Sequence, residues 1–99
     1  MQTDYLIEVD EYCTNNNIEV SFISSLEQNG VIEIKTIEEK GFIDALQLQK
    51  LEKCISFYYE LDINLEGIET IIHLLKRIDL MQDEIRLLKN RLSFYETEF

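Results

Sequence analysis

The chain has 99 residues, no proline, three glycines and a net charge of −11, which points to one domain or a small head with a helical extension. No stretch approaches the ~18 apolar residues a membrane helix needs. Met1-Gln2-Thr3-Asp4-Tyr5 has neither the basic nor the apolar region of a signal peptide, so a cytoplasmic location is expected. Two cysteines, Cys13 and Cys54, and a lone His73 are too few for a Cys/His metal site.

In chain order, residues 5–9 (Tyr5-Leu6-Ile7-Glu8-Val9) read as a short strand. Residues 10–16 predict a short helix with acids in its first turn, ended by the turn Asn15-Asn16-Asn17. Residues 20–29 predict a second helix with Phe22, Ile23 and Leu26 on one face and Gly30 as its terminator. Residues 31–35 are a strand candidate, turned back at Glu38-Glu39-Lys40-Gly41 through Phe42-Ile43 to make a small hairpin wing. Asp44 is suited to cap a third helix reaching about Leu61, with Leu48, Leu51, Ile55, Tyr58 and Leu61 at helical spacing. Asp62-Ile63-Asn64 breaks it, and Asn64 caps a last helix with Glu66 in its first turn.

That last helix has an unbroken heptad. Ile71, Leu74, Ile78, Met81, Ile85, Leu88, Leu92, Tyr95 and Phe99 occupy every a and d position. Burying each large side chain is worth ~1.5–3 kcal/mol, so such a stripe demands a partner. A strict 3.5-residue period favours another helix as that partner. Ile68, Ile72 and Leu75 widen the face near the start, where docking on the head is expected. Leu80, Leu87 and Phe94 form a second row in position c, suited to a wider bundle or a further contact. Glu84, Lys89, Arg91 and Glu96 flank the seam and would influence register. The expected organisation is a head over residues 1–63 and a long helix over 64–99, the helix pairing through Ile78, Met81, Ile85, Leu88, Leu92 and Tyr95. An alternative is that the helix folds back onto its own head, although the head is small for a helix of ~45 Å.

Catalytic constellations are absent. There is no Gly-rich phosphate loop, nucleophile elbow or HExxH, and no catalytic residue, cofactor or metal is expected. Both cysteines read as buried thiols and His73 as a surface or boundary residue. Charge is uneven. Residues 1–63 hold 13 acids against 4 lysines, giving −9, whereas residues 64–99 hold 7 acids against 5 basic residues, giving −2. No arginine precedes Arg77, so the head repels phosphate backbones and attracts basic protein surfaces.

The order strand, two helices, wing, third helix and long helix resembles a MerR-type winged helix-turn-helix protein. The residues that carry the resemblance are Phe22 to Ile32, ending in Gln28-Asn29-Gly30-Val31-Ile32, then Gly41-Phe42. They continue in the joint Tyr59-Glu60-Leu61-Asp62-Ile63-Asn64-Leu65-Glu66-Gly67-Ile68. Within that superfamily the chain is most similar to the chaperone modulatory CbpM family, in length, acidic head, Glu11-Tyr12-Cys13 and the terminal Glu84-Ile85-Arg86-Leu87-Leu88-Lys89-Asn90-Arg91-Leu92. The fold implied is mainly α: a MerR-like winged helix-turn-helix head with a small β-hairpin wing, followed by a long C-terminal coiled-coil helix.

DNA-binding members carry an arginine and a tyrosine in the second helix and an arginine in the wing. Aligned on Gly30, the second-helix positions here are Ser24 and Ser25, and after Gly41-Phe42 the wing has Ile43. The resemblance therefore implies a non-enzymatic chaperone modulator. It would bind the J-domain of a DnaJ/CbpA-like co-chaperone and inhibit its action with Hsp70 (DnaK); the heptad itself gives the expectation of a homodimer through the C-terminal helix. Glu27, Glu33, Glu38, Glu39 and Asp44 are the candidate contacts for the J-domain's basic helix. The alternatives are a MerR-like DNA-binding transcription regulator, which needs a basic reading face, and a purely structural coiled-coil module.

Overall fold

The computed structural model describes residues 5–97. Strand β1 (Leu6–Glu8) leads directly into helix α1 (Val9–Asn16), followed by α2 (Val20–Gln28). A hairpin of β2 (Lys35–Ile37) and β3 (Lys40–Asp44) comes next. A single 3-10 turn (Ala45–Gln47) opens α3 (Leu48–Ile55), which continues as a π turn (Ser56–Glu60). Helix α4 (Leu65–Thr97) completes the described chain. Two compact units result, Met1–Glu69 and Thr70–Phe99.

In the first unit the three strands form an antiparallel sheet in the order β1-β3-β2. Ile7 sits opposite Ile43, and Thr36 opposite Gly41. The wing is therefore extended by the N-terminal strand. A Cβ added at Gly41 would lie 3.1 Å from Ile34 Cγ2 and 3.6 Å from Val9 Cγ2, so this strand position packs closely because it has no side chain. The core is apolar, built from Val9, Ile23, Leu26, Ile43, Leu51, Cys54 and Ile68, and it holds no polar or charged side chain among the described residues.

Helix ends follow local chemistry. Asn17 adopts a left-handed conformation (φ 55°) and both its N–H and that of Ile18 donate to the Cys13 carbonyl, closing α1. At the end of α2, Val31 N–H donates to Leu26 O at 2.9 Å and Gly30 N–H to Glu27 O at 3.0 Å, with Gly30 at φ +76°. That bond pair is a Schellman termination, and buried Val31 and Leu26 supply its hydrophobic contact. Asp44 accepts from Leu46 N–H, and Asn64 Oδ1 accepts from Gly67 N–H at 2.8 Å.

Two expectations are corrected. Residues 31–35 do not form a strand as a whole; pairing begins at Lys35. Val31 and Ile32 are buried in the core, and Gln47 holds the Glu33 backbone. Glu33 N–H donates to Gln47 Oε1 at 2.8 Å, and Gln47 Nε2 donates to Glu33 O at 3.0 Å. Lys50 Nζ also donates to Val31 O at 3.1 Å. Side chains thus satisfy backbone groups that a ladder would otherwise serve.

The third helix is also not uniform. In its last turn Leu61 N–H reaches back to Ser56 O, the i−5 pattern of a π turn. The wider turn slips the helical phase, so Leu61 leaves the apolar face and is 60% exposed. The gain is that consecutive Tyr58 and Tyr59 both reach Phe22, the first stacked at 4.4 Å and the second edge-on at 5.6 Å.

Candidate functional site

Three surfaces were expected to matter: the second helix, the wing and the long helix. In α2 the inward face is Phe22, Ile23 and Leu26, and Ser24 and Ser25 are half-buried. Ser21, Glu27 and Gln28 are exposed, so α2 presents no cation. On β3, Ile43 is 1% exposed. The wing position after Gly41-Phe42 is thus a core position.

The hairpin turns through Glu38 (φ 52°) and Glu39 (φ 68°) alone, both left-handed. This is the two-residue loop whose twist matches the strands, usually made by Asn-Gly. Lys40 lies within 3.7 Å of Glu8 across the sheet, which offsets part of its charge. Glu38 and Glu39 sit at the free tip, whereas Asp44 ends β3, about 16 Å away along a five-residue strand. Asp44 already caps the turn that follows. Glu33 is exposed beside Gln47, and Glu27 lies in the last turn of α2. The hairpin thus separates the tip pair Glu38 and Glu39 from Asp44 at its other end, while Glu33 and Glu27 lie outside its strands.

Along α4, Ile78, Met81, Ile85, Leu88, Leu92 and Tyr95 are 46% to 62% exposed. Leu80, Leu87 and Phe94 are exposed as well. A shallow hollow of about 360 Å³ lies between Leu87, Asn90, Arg91, Phe94 and Tyr95. Asp83 pairs with Arg86 one turn on. Phe99, the last apolar position of the stripe, lies outside the described residues.

Sequence reasoning missed a further feature, a cleft of about 390 Å³ between Tyr58, Tyr59, Asp62, Ile63 and Asn64. The run Phe57-Tyr58-Tyr59 immediately before a helix break was its only signal. Elsewhere the chemistry is quiet. Burial pushes the Cys54 thiol up to about 11, against the opposing pull of Lys50. Burial and then Asp10 raise Cys13. Burial raises Tyr12, with Glu52 and then Cys13 adding to it. Both thiols are therefore held protonated and are poor nucleophiles near neutral pH. No group of three or more His, Cys, Asp or Glu suited to a metal occurs among the described residues. Within the same span no helix is long and apolar enough to cross a membrane.

The element order, the Schellman end of α2, the wing and the joint into a long helix together match a known family. A profile described as MerR HTH family regulatory protein matches residues 7–90. The chain belongs to the MerR HTH family. The match takes in the head and α4 as far as Asn90, so helix and head are parts of one family pattern. No curated protein and no solved structure matched the chain. Within this MerR-family head α2 carries no cation and Ile43 is buried.

Proposed function

We propose that this MerR-family protein is a non-enzymatic, cytoplasmic chaperone modulator of the CbpM kind. It binds the J-domain of a DnaJ/CbpA-like co-chaperone, covers the basic helix that the J-domain offers to DnaK, and so inhibits the pair. The observation that carries this reading is the electrostatics of the head. Thirteen acids face four lysines over residues 1–63, and α2 carries no cation. A phosphate backbone would be repelled by that surface, whereas a basic helix would be steered onto it. Fold alone does not decide between these partners, and the charge favours the protein. The exposed a/d stripe of α4 supports homodimer formation through Ile78, Met81, Ile85, Leu88, Leu92 and Tyr95.

The test is titration of the purified protein with the cognate J-domain at ~50 mM and ~500 mM salt, followed by DnaK ATPase assays. Binding at low salt that weakens as the Debye length shortens, with loss of J-domain stimulation of DnaK, is the expected result. No complex at low salt refutes the proposal. The second reading, a DNA-binding regulator, draws on the family's regulatory description. A specific gel shift with the protein's own promoter would establish it instead.

A further inference from the structure

The cleft at the joint between α3 and α4 has a chemical character that neither the wing acids nor the helical stripe shares. Its aromatic wall is fixed from several directions. Tyr58 stacks on Phe22, and Tyr59 meets Tyr58 edge-on with centroids 5.1 Å apart. The Tyr59 hydroxyl accepts Glu19 N–H at 3.2 Å, forty residues away in sequence, so the ring is tied to the start of α2. Backbone bonds hold the floor. Ile63 N–H donates to Phe57 O at 2.9 Å, and Leu61 N–H donates to Ser56 O. The π turn allows two consecutive tyrosines to face the same neighbour, and such turns recur at functional sites.

The polar lining is equally defined. Asn64 Oδ1 is committed to Gly67 N–H. The Asp62 carboxylate is exposed and has no hydrogen-bond or ion-pair partner among the described residues. A full negative charge beside two tyrosine rings selects a flat cation, which stacks on the rings and forks to the carboxylate. The N-terminus of α4 brings about half a positive charge to this place. The Asn64 cap offsets part of it, and Asp62 exceeds what is left, so an anion is not favoured. Arginine meets both demands better than lysine, because its guanidinium is planar and its five donors form a fork.

We infer that the cleft lined by Tyr58, Tyr59, Asp62, Ile63 and Asn64 is the seat for an arginine side chain projecting from a basic helix of the protein partner. The inference deepens the proposed function and rests on it for the partner's basic character. Rigid aromatic walls in a cleft of this size make a small anchor point, while the remaining head acids act at longer range on encounter.

The experiment uses the full chain, isotopically labelled, with two probes. The first is Nα-acetyl-arginine amide, compared with its uncharged citrulline counterpart. Arginine should shift the amides of Tyr59, Asp62 and Ile63, citrulline should not, and Asp62→Asn should abolish the response. Asparagine is accepted at the left-handed φ of 55° that residue 62 adopts, so this variant keeps the backbone. Equal shifts with both probes, or an unchanged response in Asp62→Asn, would overturn the cleft as a cation site.

The second probe is the cognate J-domain. Asp62→Asn should weaken its binding about tenfold, the scale of one hydrogen bond to a charged group, while the tyrosine rings keep their own contact. Glu52→Gln, an equal charge change at an exposed residue of α3, should alter it less than about twofold. Equal losses in the two variants would overturn the cleft as the partner's seat. A J-domain that never binds the wild type sinks the proposed function alone, and the arginine titration then decides the cleft by itself.

Discussion

Replacing Glu38 and Glu39 by Asn-Gly should make the head more stable, by an amount that follows from two dihedral angles. Both residues hold positive φ, 52° and 68°, in a two-residue hairpin loop. A side chain with a Cβ costs roughly 1–2 kcal/mol in that region, asparagine costs less and glycine costs nothing. Glycine returns roughly 0.5–1 kcal/mol to the unfolded chain as added freedom. The net gain for Glu38→Asn with Glu39→Gly is therefore about 1–1.5 kcal/mol. For a domain of this size that corresponds to about 5–10 °C in Tm. Thermal and urea unfolding, followed by circular dichroism at fixed protomer concentration, measures it. An unchanged or lowered Tm would refute the left-handed loop, and the register of β2 on β3 would have to be redrawn. The same variant removes two of the acids proposed to meet the J-domain. A weaker complex from a more stable head would separate a contact role from a structural one.

Other predictions concern the joint, the stripe and the thiols. Asn64→Ala should lose about 1 kcal/mol because Gly67 N–H is left without its cap, and Asn64→Asp should keep most of it. Gly67→Ala should destabilise the protein despite alanine's better helix propensity, since its Cβ would lie 2.7 Å from Ile63 Cγ2; a higher Tm would contradict that packing. Ile85→Asp with Leu88→Asp should convert dimer to monomer in analytical ultracentrifugation, and a wild type that is already monomeric would refute pairing. Cys54 is held protonated from its ordinary 9.0 up to about 11, so its contribution to stability is complete below about pH 9 and is lost as pH rises to about 11. That loss is worth roughly 3 kcal/mol at most, from a shift of about two pH units. Alkylation of Cys54 at pH 8 should run at least ~100-fold slower in the native protein than in urea.

Much of the fold was legible because local chemistry and tertiary structure agree. Asn17, Gly30, Asp44 and Asn64 end or begin their helices as their side chains and allowed dihedrals require. Phe22, Ile23 and Leu26 are the buried face of α2 that their spacing suggested. The failures share one cause, a side chain acting at a distance that no periodicity records. Gln47, fourteen residues from Glu33, occupies the backbone groups that would have made residues 31–34 a strand. Phe22 draws both Tyr58 and Tyr59, and the helix widens to a π turn to let it. The joint cleft arises from that widening, so it was as hidden in the sequence as the turn itself. The five candidate acids were visible as charges, but the separation of Glu38 and Glu39 from Asp44 by the hairpin depends on the β3 register.

Gln47 has one more consequence. Strand β2 is an edge of the sheet and only three residues long. An unpaired edge invites a strand from another molecule, and the simplest extension of this one would run back through Glu33 and Ile34. With both backbone groups of Glu33 already taken by one glutamine, that extension is closed. At the other end the chain turns immediately through two glutamates, a charged stop. The wing thereby resists growth into aggregated sheet, even though its chain carries a long exposed apolar stripe elsewhere.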